Sequence, residues 1–371
     1  GVGGVSAPGP GRINLIGEHT DYNQGLVLPA SIEKGIYFAV SGNEENNIQI
    51  ESFLTQPEKI VFQLNGEHKG FESFWGNYFK ASIEILIAKN YPLKGMNCVF
   101  GGDIPIGSGL SSSAALCCGF IYAITQVSDK EISREDIALI AQEAEHKIGL
   151  NCGLMDQYAV LFGKKGNAFF LDCNDLRHKY IPINLDGYSW VLINSNIKHN
   201  LAVDSEYNKR RVSCENIVKQ VQTYRPQVKS LRDISKDDLV KVKNKVNEID
   251  IQRAKYIIEE NERVLQMMQE LTAGDAIAVG NVLKDGHWAM STEYEITTSE
   301  LDHLVKIGEE LDGVLGSRMM GGGFGGCTIN LIETKSLDKS IKALLRSYKN
   351  KTGIDAEYYH LAIDDGVKVF E

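Results

Sequence analysis

Proline (8) and tryptophan (3) are scarce in this 371-residue chain, and long apolar runs are missing altogether. No apolar stretch reaches the ~18 residues needed to cross a bilayer as a helix, and the first residues show no basic-then-apolar leader. A cytoplasmic protein without a membrane partner is expected. Positive charge is the scarcer sign: 39 Lys+Arg stand against 49 Asp+Glu, a net charge of -10. Bulk attraction to nucleic acid is thereby excluded, because phosphate backbones are held by basic surfaces, although one local phosphate site remains compatible. The seven cysteines (98, 117, 118, 152, 173, 214 and 327) are odd in number and contain no CxxC pair. Reduced thiols therefore fit better than a disulfide framework or a zinc site.

What is present in excess is glycine, at 36 of 371 residues, about a tenth of the chain. With 43% hydrophobic and 24% charged residues the composition is that of a globular protein, and the length suits two domains. No low-complexity linker or fixed-period repeat is found, so the boundary is a short crossing near residues 180–190, giving units 1–186 and 187–371. Strands are predicted at Ile36–Val40, Ile48–Phe53, Met96–Ile104, Trp190–Ser195, Cys327–Ile332 and Tyr359–Ile363. Helices are predicted at Phe74–Ala88 and Ala114–Thr125, after Ser133 as N-cap, and at Leu301–Leu311, with further helices between 204 and 272. In that last region the predicted apolar stripe is Ala254, Ile257, Ile258, Leu265, Met268 and Leu271. Strands and helices without steady alternation point to an α+β class.

The glycines fall into three clusters. The first, Gly9 to Tyr22, packs Arg12, Glu18, His19 and Asp21 around glycines and a strand-like Ile13–Ile16. Such an array of acceptors and donors can hold several hydroxyls of a sugar, though alone it also reads as a solvated turn. The second runs from Gly101 to Ala115 and contains Gly107, Ser108, Gly109, Leu110, Ser111, Ser112 and Ser113 before a helix of small residues. Exposed amides and serine hydroxyls at a helix start suit an anion or its bound Mg²⁺, but no Lys follows the last glycine, so this is not a Walker A loop. The third, Met319 to Thr328, has five glycines in six positions, which suits backbone passing close to backbone or ligand. A fourth feature is Glu145, at the edge of an apolar helical stripe, followed by Asp156 in a short turn after Gly153-Leu154-Met155.

In this order and spacing the clusters resemble the GHMP kinase superfamily, over a span from Arg12 to Gly366. The string Gly11-Arg12-Ile13-Asn14-Leu15-Ile16-Gly17-Glu18-His19-Thr20-Asp21-Tyr22-Asn23 is similar to the galactokinase signature within it. The resemblance implies two α+β domains, an N-terminal one like ribosomal protein S5 domain 2 and a C-terminal ferredoxin-like one. It implies transfer of the ATP γ-phosphoryl group to the anomeric hydroxyl of galactose, the first committed step of galactose catabolism.

By the same resemblance Asp156 is the general base and Arg12 stabilises the transferring phosphoryl. Glu18, His19, Thr20, Asp21, Gly153 and Tyr207 contact the sugar. Gly107 to Ser113, with Trp75 and Tyr78, bind ATP, and Ser113 and Glu145 ligate Mg²⁺. The Gly321–Gly326 run is expected to support the phosphate loop. A monomer with only sugar and ATP as partners is expected. The Glu145-to-Asp156 segment is one residue shorter than in most galactokinases and resembles N-acetylgalactosamine kinases in that respect. A related sugar-1-kinase or a non-catalytic galactose sensor are therefore the rival readings, although Ser111-Ser112-Ser113-Ala114-Ala115 is intact, as a catalyst requires.

Overall fold

Period-two burial organises the first half of the chain. In Asn47–Ser52 only Ile48, Ile50 and Ser52 point inward, and in Met96–Gly102 the inward side chains are Met96, Cys98 and Phe100. A computed structural model describes residues 4–54, 56–64, 73–105, 108–128, 130–197 and 203–370. In chain order, the first half contains β1 (Val5–Asn14), β2 (Leu26–Val27), β3 (Pro29–Gly42), β4 (Asn47–Ser52), β5 (Glu58–Gln63), α1 (Phe74–Ala88) and β6 (Met96–Gly102). It continues with α2 (Ser112–Gln126), α3 (Arg134–Lys147), α4 (Met155–Phe162), β7 (Asn167–Asp172) and β8 (His178–Pro182). A five-stranded sheet runs β1-β3-β6-β4-β5, antiparallel except where β4 lies parallel to β6.

Although β3 and β4 are consecutive and joined by a short polar loop, they do not pair. β6 inserts between them, so sequence proximity gives the strands but not their neighbours. Helices α1 to α4 cover one face of this sheet, and α2 is buried on nearly every side. Its small residues allow very close packing. A Cβ added to Gly9 in β1 would lie 2.1 Å from the Ala115 carbonyl oxygen and 3.1 Å from Gly119 Cα.

The second half comprises β9 (Tyr188–Asn194), α5 (Val203–Gln222), α6 (Lys236–Val242), α7 (Glu248–Ala273), α8 (Ala276–Ala289), α9 (Ser299–Glu309), β10 (Val314–Met320), β11 (Cys327–Glu333), α10 (Leu337–Thr352) and β12 (Glu357–Leu361). An antiparallel sheet β10-β11-β9-β12 carries these helices, while β2, β7 and β8 form a third sheet. One apolar cluster joins the halves, with Ile13, Leu15 and Ile16 packed among Val264, Met267, Val282 and Leu283. Residues 363–370 then return to the first half: Asp364 N–H donates to Ser31 O at 3.0 Å and Phe370 N–H to Ser6 O at 2.8 Å. Among the described residues no helix is long and apolar enough to cross a membrane.

The structure shifts several predicted positions. Helix α2 starts at Ser112 rather than Ala114, so two serines of the second cluster sit in a helical first turn. In α7 Leu265 is exposed and Val264 and Met267 take the buried face in its place, because the inward stripe drifts round the helix over seven turns. Ser133 caps α3 as predicted, accepting from Asp136 N–H. From the β1–α2 approach we expect Gly9→Ala to destabilise the protein by about 3 kcal/mol, read as a lower urea midpoint at unchanged m-value.

Candidate active site

The site begins with an irregularity in β1. Pairing with β3 slips between Pro10 and Arg12, and a bulge of this kind re-aims the side chain that follows it. Arg12 is buried and makes a two-point contact with Asp156, Nε donating to Oδ1 at 2.6 Å and Nη2 to Oδ2 at 3.0 Å. Its Nη1 donates to Gly109 O at 2.6 Å, and its backbone N–H donates to Leu110 O at 3.1 Å. Asp156 lies in the first turn of α4 rather than in the turn read from the sequence. The Ser111 hydroxyl donates to its Oδ2 as well. Two segments 144 residues apart are thus locked into one charged pair beside the glycine–serine loop.

A cavity of about 640 Å³ opens over this pair. It gathers Glu18, His19, Asp21, Gly153 and Tyr207 from the expected sugar side, and Tyr78, Ser112, Ser113 and Glu145 from the expected nucleotide side. Gly153 is required there: a Cβ would fall 2.0 Å from Asp21 Oδ2. Burial, reinforced by the nearby Asp156 charge, pushes the Asp21 carboxyl up to about 6. Glu18 is fully buried, taking hydrogen bonds from Arg318 Nη1 and, at 3.0 Å, from Gly321 N–H. Burial is the largest influence on its carboxyl and pushes it up, against the pull of that guanidinium.

His19 and Thr20 depart from the direct sugar-ligand role expected of them. His19 Nε2 faces Gly322 O at 3.2 Å and Nδ1 faces the Tyr22 hydroxyl at 2.7 Å. A carbonyl can only accept, so Nε2 carries the proton and Nδ1 accepts from Tyr22, leaving neither ring nitrogen free. Burial holds the imidazole down at about 4, hence neutral. Its ring and that of Tyr207, with centroids 4.9 Å apart, form an aromatic wall. Thr20 is fully buried and its hydroxyl donates to Gly17 O and Leu26 O at 2.9 and 2.7 Å, so it shapes the turn from beneath.

On the nucleotide side, Ser113 hydrogen-bonds the buried Glu145 carboxylate, which also accepts from Gln157 Nε2. Burial raises that carboxyl to about 7, with hydrogen bonds from Ser113, Gln157 and Cys152 opposing and the Asp156 charge adding. One carboxylate and one hydroxyl are hard oxygen donors that fit Mg²⁺ held jointly with substrate phosphates. Ser108 is buried with its hydroxyl on Pro105 O at 2.7 Å, and Leu110 points into the core. Gly107 lies outside the described residues. Trp75, expected near the adenine, sits in the core against Phe79 and Phe100, its indole N–H on Glu58 Oε2 at 3.0 Å, and does not line the cavity. Tyr78, one turn of α1 later, does.

Sequence reading missed Arg318, Gln157 and Glu260. Glu260 Oε1 accepts from the backbone N–H of Gly17 and Glu18 at 2.8 and 3.3 Å, shaping the sugar-side turn from α7. A signal for Arg318 did exist, as the lone charge in the stretch Val314–Met320. Nothing local marks the other two.

Known proteins resemble the chain along nearly its whole length. The galactokinase galactose-binding signature matches residues 3–42, the GHMP kinases N terminal domain residues 77–164, and the GHMP kinases C terminal domain residues 267–350. The chain is an ATP-dependent sugar kinase of the GHMP kinase superfamily, with the two-domain α+β fold of that superfamily. It is 39% identical over 366 residues to a galactokinase of Fusobacterium nucleatum, covering 96% of this chain and 92% of that protein. It is 36% identical to one of Thermotoga maritima, covering 97% and 98%. The structure of Lactococcus lactis galactokinase complexed with galactose superposes with a TM-score of 0.92 at 33% identity, covering 98% of this chain and 95% of that one. Methanococcus jannaschii mevalonate kinase, at 18% identity and a TM-score of 0.65, shares the fold. The chain belongs to the galactokinase family.

The raised Asp21 carboxyl has a consequence for the ligand-free protein. With its carboxyl pushed up to about 6 by burial, above the ordinary aspartate range, the native state binds this proton more tightly than the unfolded chain. The associated stability is present below about pH 4 and lost as pH rises through 6. Asp21→Asn should therefore be the more stable protein at pH 8, by up to about 3 kcal/mol, and the gap should narrow at pH 5. Urea unfolding at the two pH values measures it.

Proposed function

We propose that the chain transfers the γ-phosphoryl group of ATP to the anomeric 1-hydroxyl of D-galactose, giving galactose 1-phosphate and ADP. The observation that carries this reading is the Arg12–Asp156 pair, clamped to the glycine–serine loop on one side and facing the Asp21–Gly153 contact on the other. Asp156 accepts the proton of the 1-hydroxyl as its oxygen attacks the γ-phosphorus and the bond to the β-phosphate oxygen breaks. Arg12 supplies fixed positive charge where negative charge spreads over the transferring group. Glu18 and Asp21 accept sugar hydroxyls, Gly153 lets the ring approach, and His19 and Tyr207 wall it with their ring faces. The loop 107–113 cradles the phosphates and Tyr78 borders the nucleotide.

Ser113 and Glu145 would hold Mg²⁺, which neutralises charge between the β- and γ-phosphates when bound. The units 1–186 and 187–371, a monomeric state and a cytoplasmic location complete the proposal.

Among rival substrates, N-acetylgalactosamine is favoured by the short Glu145–Asp156 segment alone. Coupled ADP release across galactose, N-acetylgalactosamine, glucose and talose decides: galactose is expected to dominate kcat/KM, and a preference for N-acetylgalactosamine overturns the substrate. Asp156→Asn is expected to keep sugar and ATP binding while kcat drops about 10³-fold. Near-parental turnover in that variant removes Asp156 as the base.

A further inference from the structure

Ser111 occupies a position that suits a serine poorly. Its backbone is left-handed, at φ 57° and ψ 49°, a region in which a side chain is strained and glycine is not. It is also the N-cap residue of α2, where a serine ordinarily accepts a hydrogen bond from the first turn, yet its hydroxyl makes no such bond. The hydroxyl instead donates to Asp156 Oδ2, the same oxygen that receives Arg12 Nη2. The two preceding residues act on the same pair, Gly109 O accepting from Arg12 Nη1 and Leu110 O from Arg12 N–H. Three consecutive loop residues thus grip the arginine and the carboxylate together. Strain retained where glycine would relieve it, with the cap forgone, points to a role for the hydroxyl itself.

We infer that Ser111 is a positioning residue for the phosphoryl-transfer step, its hydroxyl fixing the Asp156 carboxylate so that the oxygen facing the sugar has one orientation when the loop is occupied. This rests on Asp156 being the base. Arg12 pins both carboxylate oxygens and Ser111 adds a second donor on Oδ2, which further opposes rotation about the Cβ–Cγ bond of a carboxylate that lines the cavity. Without the hydroxyl, Arg12 still holds the carboxylate, so substrate affinity should be preserved while the fraction of productive encounters falls.

The test compares Ser111→Gly with Ser111→Ala. Glycine is relaxed in the left-handed backbone whereas alanine bears the strain that serine bears, so the Gly variant should melt no lower than the Ala variant. Both should lose kcat by a similar factor, about 10- to 50-fold, with KM for galactose and ATP within about twofold of the parent. Ser111→Gly with parental kcat overturns the inference, as does a loss confined to KM for ATP, which would make Ser111 a phosphate ligand only. Placing Ser111→Gly in the Asp156→Asn background separates the two levels. If Asp156→Asn alone keeps its turnover, the base assignment fails. If it loses turnover, Ser111→Gly should add little to the loss, and a further full-sized drop shows an action independent of Asp156 and overturns the inference.

Discussion

A guanidinium with no access to water holds this structure in register. Arg318 on β10 and Glu18 on the sugar-side turn are both buried, and neither could lose its partner without leaving an isolated charge in the core. Arg318 Nη2 also donates to Asn14 O at 2.6 Å, and Gly321 N–H donates to Glu18 Oε1. The end of β1, the turn after it and the start of the glycine run are therefore tied into one unit. Glu260 secures the same turn from α7, and Arg263 Nε holds that carboxylate at 2.6 Å. Such a network adds little net stability against a well-packed apolar alternative, because desolvating the charges is expensive. What it imposes is register, since moving β1, β10 or α7 would strip a buried charge of its partner.

That constraint propagates to the site. With Gly321 fixed on Glu18, Gly322 offers its carbonyl to His19, and the chain from His19 through Tyr22 to the Tyr294 hydroxyl follows. Phe324 N–H then reaches Ile296 O at 2.7 Å, and its ring receives the guanidinium of Arg210, at 4.9 Å from the ring centroid. Arg210 belongs to α5, the helix that carries Tyr207. The aromatic wall of the sugar side is thus set by the glycine run of the second half, although most of its acids come from the first. The glycine run faces the sugar turn as well as the phosphate loop, a wider role than loop support.

Local chemistry was legible where it depends on neighbours in sequence. Helix α1 matches its predicted bounds because the apolar spacing of Tyr78, Ala81 and Ile85 is strong, and Ser133 declares a cap through a residue three positions on. The three clusters located the cavity because glycine, serine and acids in such density have few other uses. What stayed hidden depends on partners far along the chain. Glu260 meets Gly17 across 243 residues and Arg318 meets Glu18 across 300, so no periodicity records either contact. Thr20 and Trp75 show the converse error. Both sit inside motif strings, yet their polar atoms satisfy the fold at Gly17, Leu26 and Glu58. A motif preserves what supports a site together with what touches the ligand, and only geometry divides the two.

The electrostatics of the cavity then frame how an acidic protein accepts a polyanion. Among the described residues lining it, Arg12 is the one Lys or Arg, set against Glu18, Asp21, Glu145 and Asp156, while His19 is neutral. Arg318 already compensates Glu18, and Arg12 compensates Asp156. Asp21 and Glu145 have no such cation, and burial accordingly lifts their carboxyls to about 6 and about 7. A triphosphate entering this space needs positive charge that the side chains do not supply, beyond what the amides at the start of α2 can offer. In the proposed reaction Glu145, with the Ser113 hydroxyl hydrogen-bonded to it, would hold a divalent cation that would supply that charge. Asp21 has a different remedy, since it faces the sugar side, where hydroxyl donors can replace the water it lost. Two uncompensated acids, Asp21 against Gly153 and Glu145 hydrogen-bonded to Ser113, thus share one cavity with the compensated Arg12–Asp156 pair.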